Sequence, residues 1–256
     1  MSALPFRTLA FASIAALGLA LAPVPAAAIS ETDRPAIEQI IRDYLLKNPE
    51  VLREAIAELE KRMKAADDKR RGEVLKESRA LIEDSPRGVV IGNPKGDIVL
   101  VEFFDYNCSY CKRALDDMLN LVKADPKLKV VLKEFPVLGQ SSVDAARVAI
   151  AVRMQDPGGK YLEFHRKLLP VRGEVTRDRA LAAAKEVGLD MARLERDMKS
   201  PEVNATLEES AELAEKLGIS GTPTYVVANE VVPGAVGYAV LKGKIDAVRK
   251  CGQATC

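Results

Sequence analysis

The sequence predicts an α/β fold in which a block of helices is inserted between two halves of a sheet, with a helical stalk in front. Three observations carry this. Two β-rich apolar runs, Ile98 to Phe104 and Lys129 to Phe135, flank an amphipathic stretch from about Ser109 to Lys123. That strand–helix–strand order implies a parallel pair with a right-handed crossover. From Ser141 to about Leu217 the apolar spacing is helical throughout, after which Thr224 to Ala228 and Val231 to Val236 read as two strands joined at Asn229-Glu230. The stretch from Ser30 to about Asp84 has no glycine before Gly72, is dense in charge, and repeats its apolar residues at helical intervals.

The elements follow in order. Arg7, the uncharged apolar run Thr8 to Ala22, the helix-breaking Pro23-Val24-Pro25 and the small residues Ala26-Ala27-Ala28 have the layout of a removable export signal, with cleavage expected after Ala28. The apolar run is short for a membrane span, which needs about 20 residues. In the leader, Ile37, Ile40, Ile41, Tyr44 and Leu45 share one helical face, and Asn48-Pro49 restarts a helix with Asn48 as N-cap. Leu52, Ile56, Leu59 and Met63 continue a narrow stripe among charged residues. Such a stripe has too little surface for a core of its own. It packs on the body of the chain or, as the length of the segment favours, on other copies of itself.

Residues 29–85 are therefore expected to form a helical oligomerisation segment, joined through the linker-like Ser85-Pro86-Arg87-Gly88 to a domain over 86–256 with its helical insertion at about 141–217. The charged residues from Lys61 to Arg71 read as a solvated helix face. Breaks in the insertion are expected at Asp156-Pro157-Gly158-Gly159, Arg172-Gly173 and Gly188, and a closing helix from about Tyr238 to Lys250.

Thirty-eight basic against 37 acidic residues leave no field that points to nucleic acid. The four cysteines belong to a chain expected to leave the cytoplasm, where disulfides persist. Cys108 and Cys111 lie two residues apart where a buried strand meets a helix. A thiol at a helix N-terminus is stabilised as the thiolate by the macrodipole and unpaired N–H groups. A second thiol one turn on can resolve a mixed disulfide. Cys108 is thus expected as the exposed nucleophile and Cys111 as the buried resolving thiol. The alternatives are a structural disulfide or half a zinc site, but zinc needs a second ligand pair and the only histidine, His165, has no partner histidine. No metal and no cofactor is expected, and His165, between apolar neighbours, reads as structural. Cys251 and Cys256 are read first as a local disulfide closing the tail, with an accessory redox pair or a soft-metal site as alternatives.

The run Val101-Glu102-Phe103-Phe104-Asp105-Tyr106-Asn107-Cys108-Ser109-Tyr110-Cys111 resembles the active-site segment of DsbA-family periplasmic oxidoreductases, and Gly221-Thr222-Pro223-Thr224 resembles that family's cis-proline loop. The likeness covers Val89 to about Lys250. The leader, with Ile37-Glu38-Gln39-Ile40-Ile41 and Asn48-Pro49-Glu50-Val51-Leu52, looks like the N-terminal oligomerisation segment of the ScsC-like branch. The resemblance implies a thioredoxin fold and a thiol-disulfide oxidoreductase acting on exported proteins in the periplasm. It also implies a membrane redox partner and a homo-oligomer through residues 30–84, since members of that branch can be trimeric and act as disulfide isomerases.

By matching positions, Pro223 would be cis (the alternative is an ordinary turn proline) and would leave the Thr222 backbone free for an extended substrate strand. Thr222, Pro223, Ser109 and Tyr110 make up the expected substrate-binding set. Glu102 matches the buried acid beneath the disulfide and would relay protons for the resolving cysteine; a surface glutamate is the alternative, and Lys133 is a candidate partner. Tyr110 stands where strongly oxidising members have a histidine, and it brings no positive charge to the Cys108 thiolate. This favours disulfide isomerase or reductase work over a dithiol oxidase, with a copper- or client-binding module as the reading from another class.

Overall fold

A computed structural model describes residues 30–156 and 159–256. The expected export signal at 1–28 lies outside the described residues, as do Pro157 and Gly158 of the first expected break. The chain divides into two compact units between Glu60 and Lys61.

In the first unit, Ser30 caps a short 3-10 turn that leads into α1 (Arg34–Lys47), followed by the start of α2 (Pro49–Glu77). Asn48 immediately precedes α2, and its carbonyl accepts from the Val51 N–H at 3.1 Å. Its side-chain amide donates to the Tyr44 carbonyl at 2.8 Å, closing the end of α1. No residue of α1 is buried, and Ile40, Ile41, Tyr44 and Leu46 are each more than half exposed. The stripe continues on α2 with Ile56 and Leu59. An isolated helix gains too little from its own hydrogen bonds to be stable without a packed apolar face, so this stripe is unfinished as it stands.

The second unit holds a five-stranded mixed sheet in the order β1-β3-β2-β4-β5, from β1 (Val89–Gly92), β2 (Ile98–Phe104), β3 (Leu128–Glu134), β4 (Thr224–Val227) and β5 (Glu230–Pro233). Only β2 and β3 run parallel, connected by α4 (Ser109–Ala124). β1, which the apolar pattern did not reveal, pairs antiparallel with β3 through only four residues. The β4–β5 turn is Ala228-Asn229 rather than Asn229-Glu230, because Val227 pairs with Glu230.

Side chains alternate across the sheet, and the alternation separates two cores. Leu100, Phe104, Val130 and Leu132 pack with α4, with α10 (Tyr238–Cys251), and with the insertion helices α5 (Gln140–Gln155), α6 (Lys160–Leu168), α7 (Arg177–Glu186) and α8 (Met191–Asp197). Val101, Phe103 and Val131 pack on the other face with α9 (Pro201–Leu217), with Leu75 at the end of α2, and with Ile82 of α3 (Arg79–Glu83). Each fully buried Phe, Leu or Val contributes about 1.5–3 kcal/mol. The insertion has one break more than expected. Ser200 caps α9 and Pro201 sits at its first turn, the arrangement that favours a fresh helix start.

The run Ser85 to Gly88 is packed and does not behave as a free linker. Ser85 is buried and donates to Glu209; Arg87 bonds Glu202 and Glu209 at 3.3 and 3.1 Å; and the Pro86 carbonyl accepts from Arg153. Lys133 joins the same group, 3.0 Å from Glu209. It therefore does not pair with Glu102. Lys133 lies opposite Phe103 in the parallel register, so it points to the α9 face while Glu102 points to the α4 face.

Candidate active site

β2 ends at Phe104, and Asp105 to Asn107 turns the chain into α4, so Cys108 lands at the helix N-cap. Its sulfur accepts from the backbone N–H of Cys111 at 3.4 Å and, as a thiol, donates to the Thr222 carbonyl at 3.1 Å. The Thr222–Pro223 peptide is cis. The loop that carries it leaves α9 through Gly218, whose φ of +66° gives the left-handed cap that ends that helix without a Cβ clash. Thr224 then holds the loop by donating to the Gly221 carbonyl at 2.7 Å.

Both thiols are unbonded. Cys111 is wholly buried, as expected, whereas Cys108 is less exposed than a free nucleophile would be, at 5 %. The Thr222 carbonyl of the cis-proline loop lies 3.1 Å from its sulfur. The Cys108 thiol is lowered to about 5. Hydrogen bonding from the Cys111 thiol is the main cause, joined by Thr222 and by the N–H groups of Cys111 and Tyr110, while burial opposes the shift. The Cys111 thiol moves the other way, pushed far up first by its hydrogen bond to Cys108 and then by burial. One sulfur is thus a thiolate at neutral pH and its neighbour holds a proton.

Glu102 lies on the central strand, 4 % exposed, on the α4 face. Burial raises its carboxyl to about 8, the Cys108 charge adds to the rise, and the Tyr225 hydroxyl opposes it by hydrogen bonding. Glu102 also contributes to the upward shift of Cys111, so its charge is felt at the resolving thiol. Ser109 and Tyr110 are exposed beside Cys108, and the Arg113 guanidinium sits 4.3 Å over the Tyr110 ring. Cys251 and Cys256 are disulfide-bonded to each other at the end of α10, away from this site in sequence.

His165 is wholly buried and held to about 3 by burial, so it stays neutral. It packs edge-on against Phe104 and has Tyr106 Oη 3.1 Å from Nδ1. Two further residues went unread in the sequence. Asp105, just before the motif, accepts the N–H groups of Val137 and Leu138 at 2.9 and 3.1 Å and that of Asn107 at 2.7 Å. Tyr225 faces Glu102 only through the antiparallel register of β2 and β4, which no local pattern encodes. Among the described residues no cluster of ligating side chains fits a metal.

A dithiol at the start of a helix, faced by a cis-proline loop on a sheet of this order, defines a thioredoxin-fold protein with a CxxC redox centre. The family model of the DSBA-like thioredoxin domain matches residues 99–246, more than half the chain, and the chain belongs to that family. A second model, the Copper resistance protein ScsC N-terminal domain, matches residues 33–66.

Among solved structures, a thioredoxin-like oxidoreductase from Silicibacter pomeroyi DSS-3 is 46% identical, covering 68% of this chain and 98% of that one, with a TM-score of 0.64. Proteus mirabilis ScsC in a transitional conformation is 28% identical over 86% of this chain and 98% of its own, with a TM-score of 0.63. A periplasmic thioredoxin-like protein from Salmonella enterica serovar Typhimurium is 30% identical over 66% and 94%, with a TM-score of 0.57. The chain spans about a quarter of the length of the first curated relatives it matches, Na(+)/H(+) antiporters NhaA 1 of Mycobacterium strains, at 28% identity over 173 residues. No helix among the described residues is long and apolar enough to cross a membrane.

Proposed function

We propose that this protein is a periplasmic thiol-disulfide oxidoreductase that reduces or reshuffles disulfides of exported proteins, working after removal of residues 1–28. The observation that carries this reading is the Cys108 sulfur at the N-cap of α4, lowered as a thiolate and facing the Thr222-Pro223 loop. The Cys108 thiolate attacks one sulfur of a substrate disulfide, forming a mixed disulfide and releasing a substrate thiolate. Thr222, Pro223, Ser109 and Tyr110 hold the substrate strand alongside. In reduction, Cys111 loses its proton to Glu102 and attacks Cys108, releasing the second substrate thiol. In isomerisation, another substrate thiol attacks instead and Cys108 leaves unchanged. A membrane redox partner returns the oxidised pair to the dithiol.

The direction is tested by the reduction potential of Cys108–Cys111, measured beside refolding of a scrambled-disulfide substrate. A mid-range couple with scrambled-substrate activity is expected; a couple of about −120 mV would make the protein a dithiol oxidase. The thiolate at about 5 lies midway between the values typical of a strong oxidant, about 3.5, and a reductase, about 7, so the potential itself decides the direction.

The leader is proposed to join several copies through Ile40, Ile41, Tyr44, Ile56 and Leu59, all exposed in the single chain. Light scattering on the chain from Ile29 should give a trimer or another small oligomer, and a truncation from Val89 a monomer. A monomeric longer chain would remove this part of the reading.

A further inference from the structure

The residues on either side of the CxxC motif reach into the same loop of the helical insertion. Asn107, immediately before Cys108, meets the backbone of Val175 with both ends of its amide. Oδ1 accepts the Val175 N–H at 2.6 Å, and Nδ2 donates to the Val175 carbonyl at 3.1 Å. Nδ2 also lies 3.2 Å from Ser142 Oγ and 3.4 Å from Ser141 Oγ. Lys112, immediately after Cys111, donates through Nζ to the carbonyls of Val171 and Gly173 at 2.7 and 2.9 Å. Arg179 adds a bond to the Arg172 carbonyl at 2.8 Å.

The loop from Val171 to Val175 has no regular secondary structure. Val175, its one buried residue, spends both backbone groups on a side chain, as buried backbone must when no ladder is present. A primary amide is the one short side chain that offers a donor and an acceptor side by side, matching a backbone N–H and C=O as a neighbouring strand would. With the Asn107 N–H also given to Asp105 at 2.7 Å, the residue before the nucleophile is held at both its backbone and its side chain.

That rigidity bears on the reaction because the thiolate depends on geometry. Cys108 is stabilised only while its sulfur stays over the first turn of α4, within reach of the Cys111 N–H and thiol. A hydrogen bond to sulfur weakens steeply as its angle opens. We propose that Asn107 is a positioning residue of the redox centre: by clasping Val175 it fixes Cys108 over the helix N-terminus and makes the insertion loop Val171 to Val175 part of what sets the nucleophile's acidity. Asn107 touches no reacting atom in this role. Lys112 fastens the far end of the loop.

This proposal rests on Cys108 being the nucleophile, and the experiment separates the two. The thiolate of Cys108 is titrated by its absorbance near 240 nm against pH, and the potential is read by equilibration with glutathione, in the full chain. If the unaltered protein shows no thiolate titrating well below an ordinary cysteine, the functional reading itself fails. Given that titration, Asn107→Ala is expected to move it upward and to slow alkylation of Cys108 at pH 6 about tenfold, with a less oxidising couple. Asn107→Ser, which keeps a short polar side chain but cannot meet both backbone groups of Val175, is expected to shift the titration in the same direction by a smaller amount. It carries the test if the alanine variant fails to fold. A titration and potential that stay unchanged in the folded variants, whatever their melting temperatures do, overturn the proposal.

Discussion

The two cysteine pairs of this chain sit at opposite ends of helices and are opposite in every respect that matters to chemistry. Cys108 is the N-cap of α4, buried and unbonded; Cys251 is the last residue of α10, exposed, and bonded to Cys256. A helix presents about +0.5 of a charge at its N-terminus and −0.5 at its C-terminus. The first end favours a thiolate and the second does not. Arg249, in the last turn of α10, does not offset this, because it is engaged by Asp97 and Asp125 at 2.8 and 2.6 Å. A thiol of low pKa attacks at neutral pH and also leaves readily, whereas a pair without one exchanges slowly. Exposure is therefore a poor guide to reactivity here.

The C-terminal pair has different surroundings. Its loop lays Ala254 into the core, with the Ala254 N–H donated to Asn229 at 3.0 Å, against the turn where Ala228 takes a φ of +49°. The bond fastens the tail over the β4–β5 turn, at the end of β4 away from Thr224.

The contrast is open to attack in several ways. Cys108→Ser should lower disulfide-reducing activity at least about a thousandfold in an insulin-reduction assay, while Cys251→Ser with Cys256→Ser should leave it unchanged. A large loss in the second case would mean that the pairs work together. Glu134, buried at the end of β3 and raised to about 8 chiefly by burial, accepts from the Tyr161 hydroxyl at 2.6 Å, whereas Glu102 on the neighbouring strand feels the Cys108 charge. Glu102→Gln should therefore slow release of the mixed disulfide by about tenfold or more, seen as trapped Cys108 adduct in rapid quench, while its formation keeps its rate.

The pH dependence has a definite sign. The Cys108 pKa is lowered on folding from about 9 to about 5, so the folded dithiol gains stability from its thiolate that is complete above the higher value and lost as pH falls through the lower one. Alkylation of Cys108 should be flat from pH 7 down to about 5 and then fall tenfold per unit, a profile read with a trapping reagent. Smallest is the effect of the tail disulfide. Closing so short a loop is worth at most about 2 kcal/mol, so the double serine variant should melt only a few degrees lower in calorimetry, with the Cys108 potential unmoved.

How much was legible depended on whether the signal was local. The limits of β2 and the start of α4 follow from an apolar β-rich run ending in a CxxC, and α10 from its spacing. β1 escaped because four residues with mixed burial give no alternation to read. The break before α9 was present as Ser200-Pro201 but was masked by helical spacing on both sides. The site shows the same division. Cys108 and Cys111 announce themselves by type and spacing, and Pro223 through the resemblance of its loop to the family's cis-proline segment. The pairing of Glu102 with Tyr225, the turning of Lys133 toward Glu209, and the grip of Asn107 on Val175 each join residues far apart in the chain.

By itself the sequence determined the chemistry: two thiols a helical turn apart, the strand that delivers them, and a leader with an apolar stripe to satisfy. Those are matters of residue type at short range, where backbone geometry leaves few choices. Only the tertiary structure decided that Tyr225 faces Glu102, that Lys133 turns to Glu209, that the Ser85 to Gly88 run is anchored by Glu209 and Arg153, and that the C-terminal cysteines are bonded to each other. Burial, strand register and side-chain contacts across the chain set those outcomes, and they come into being only when distant segments meet.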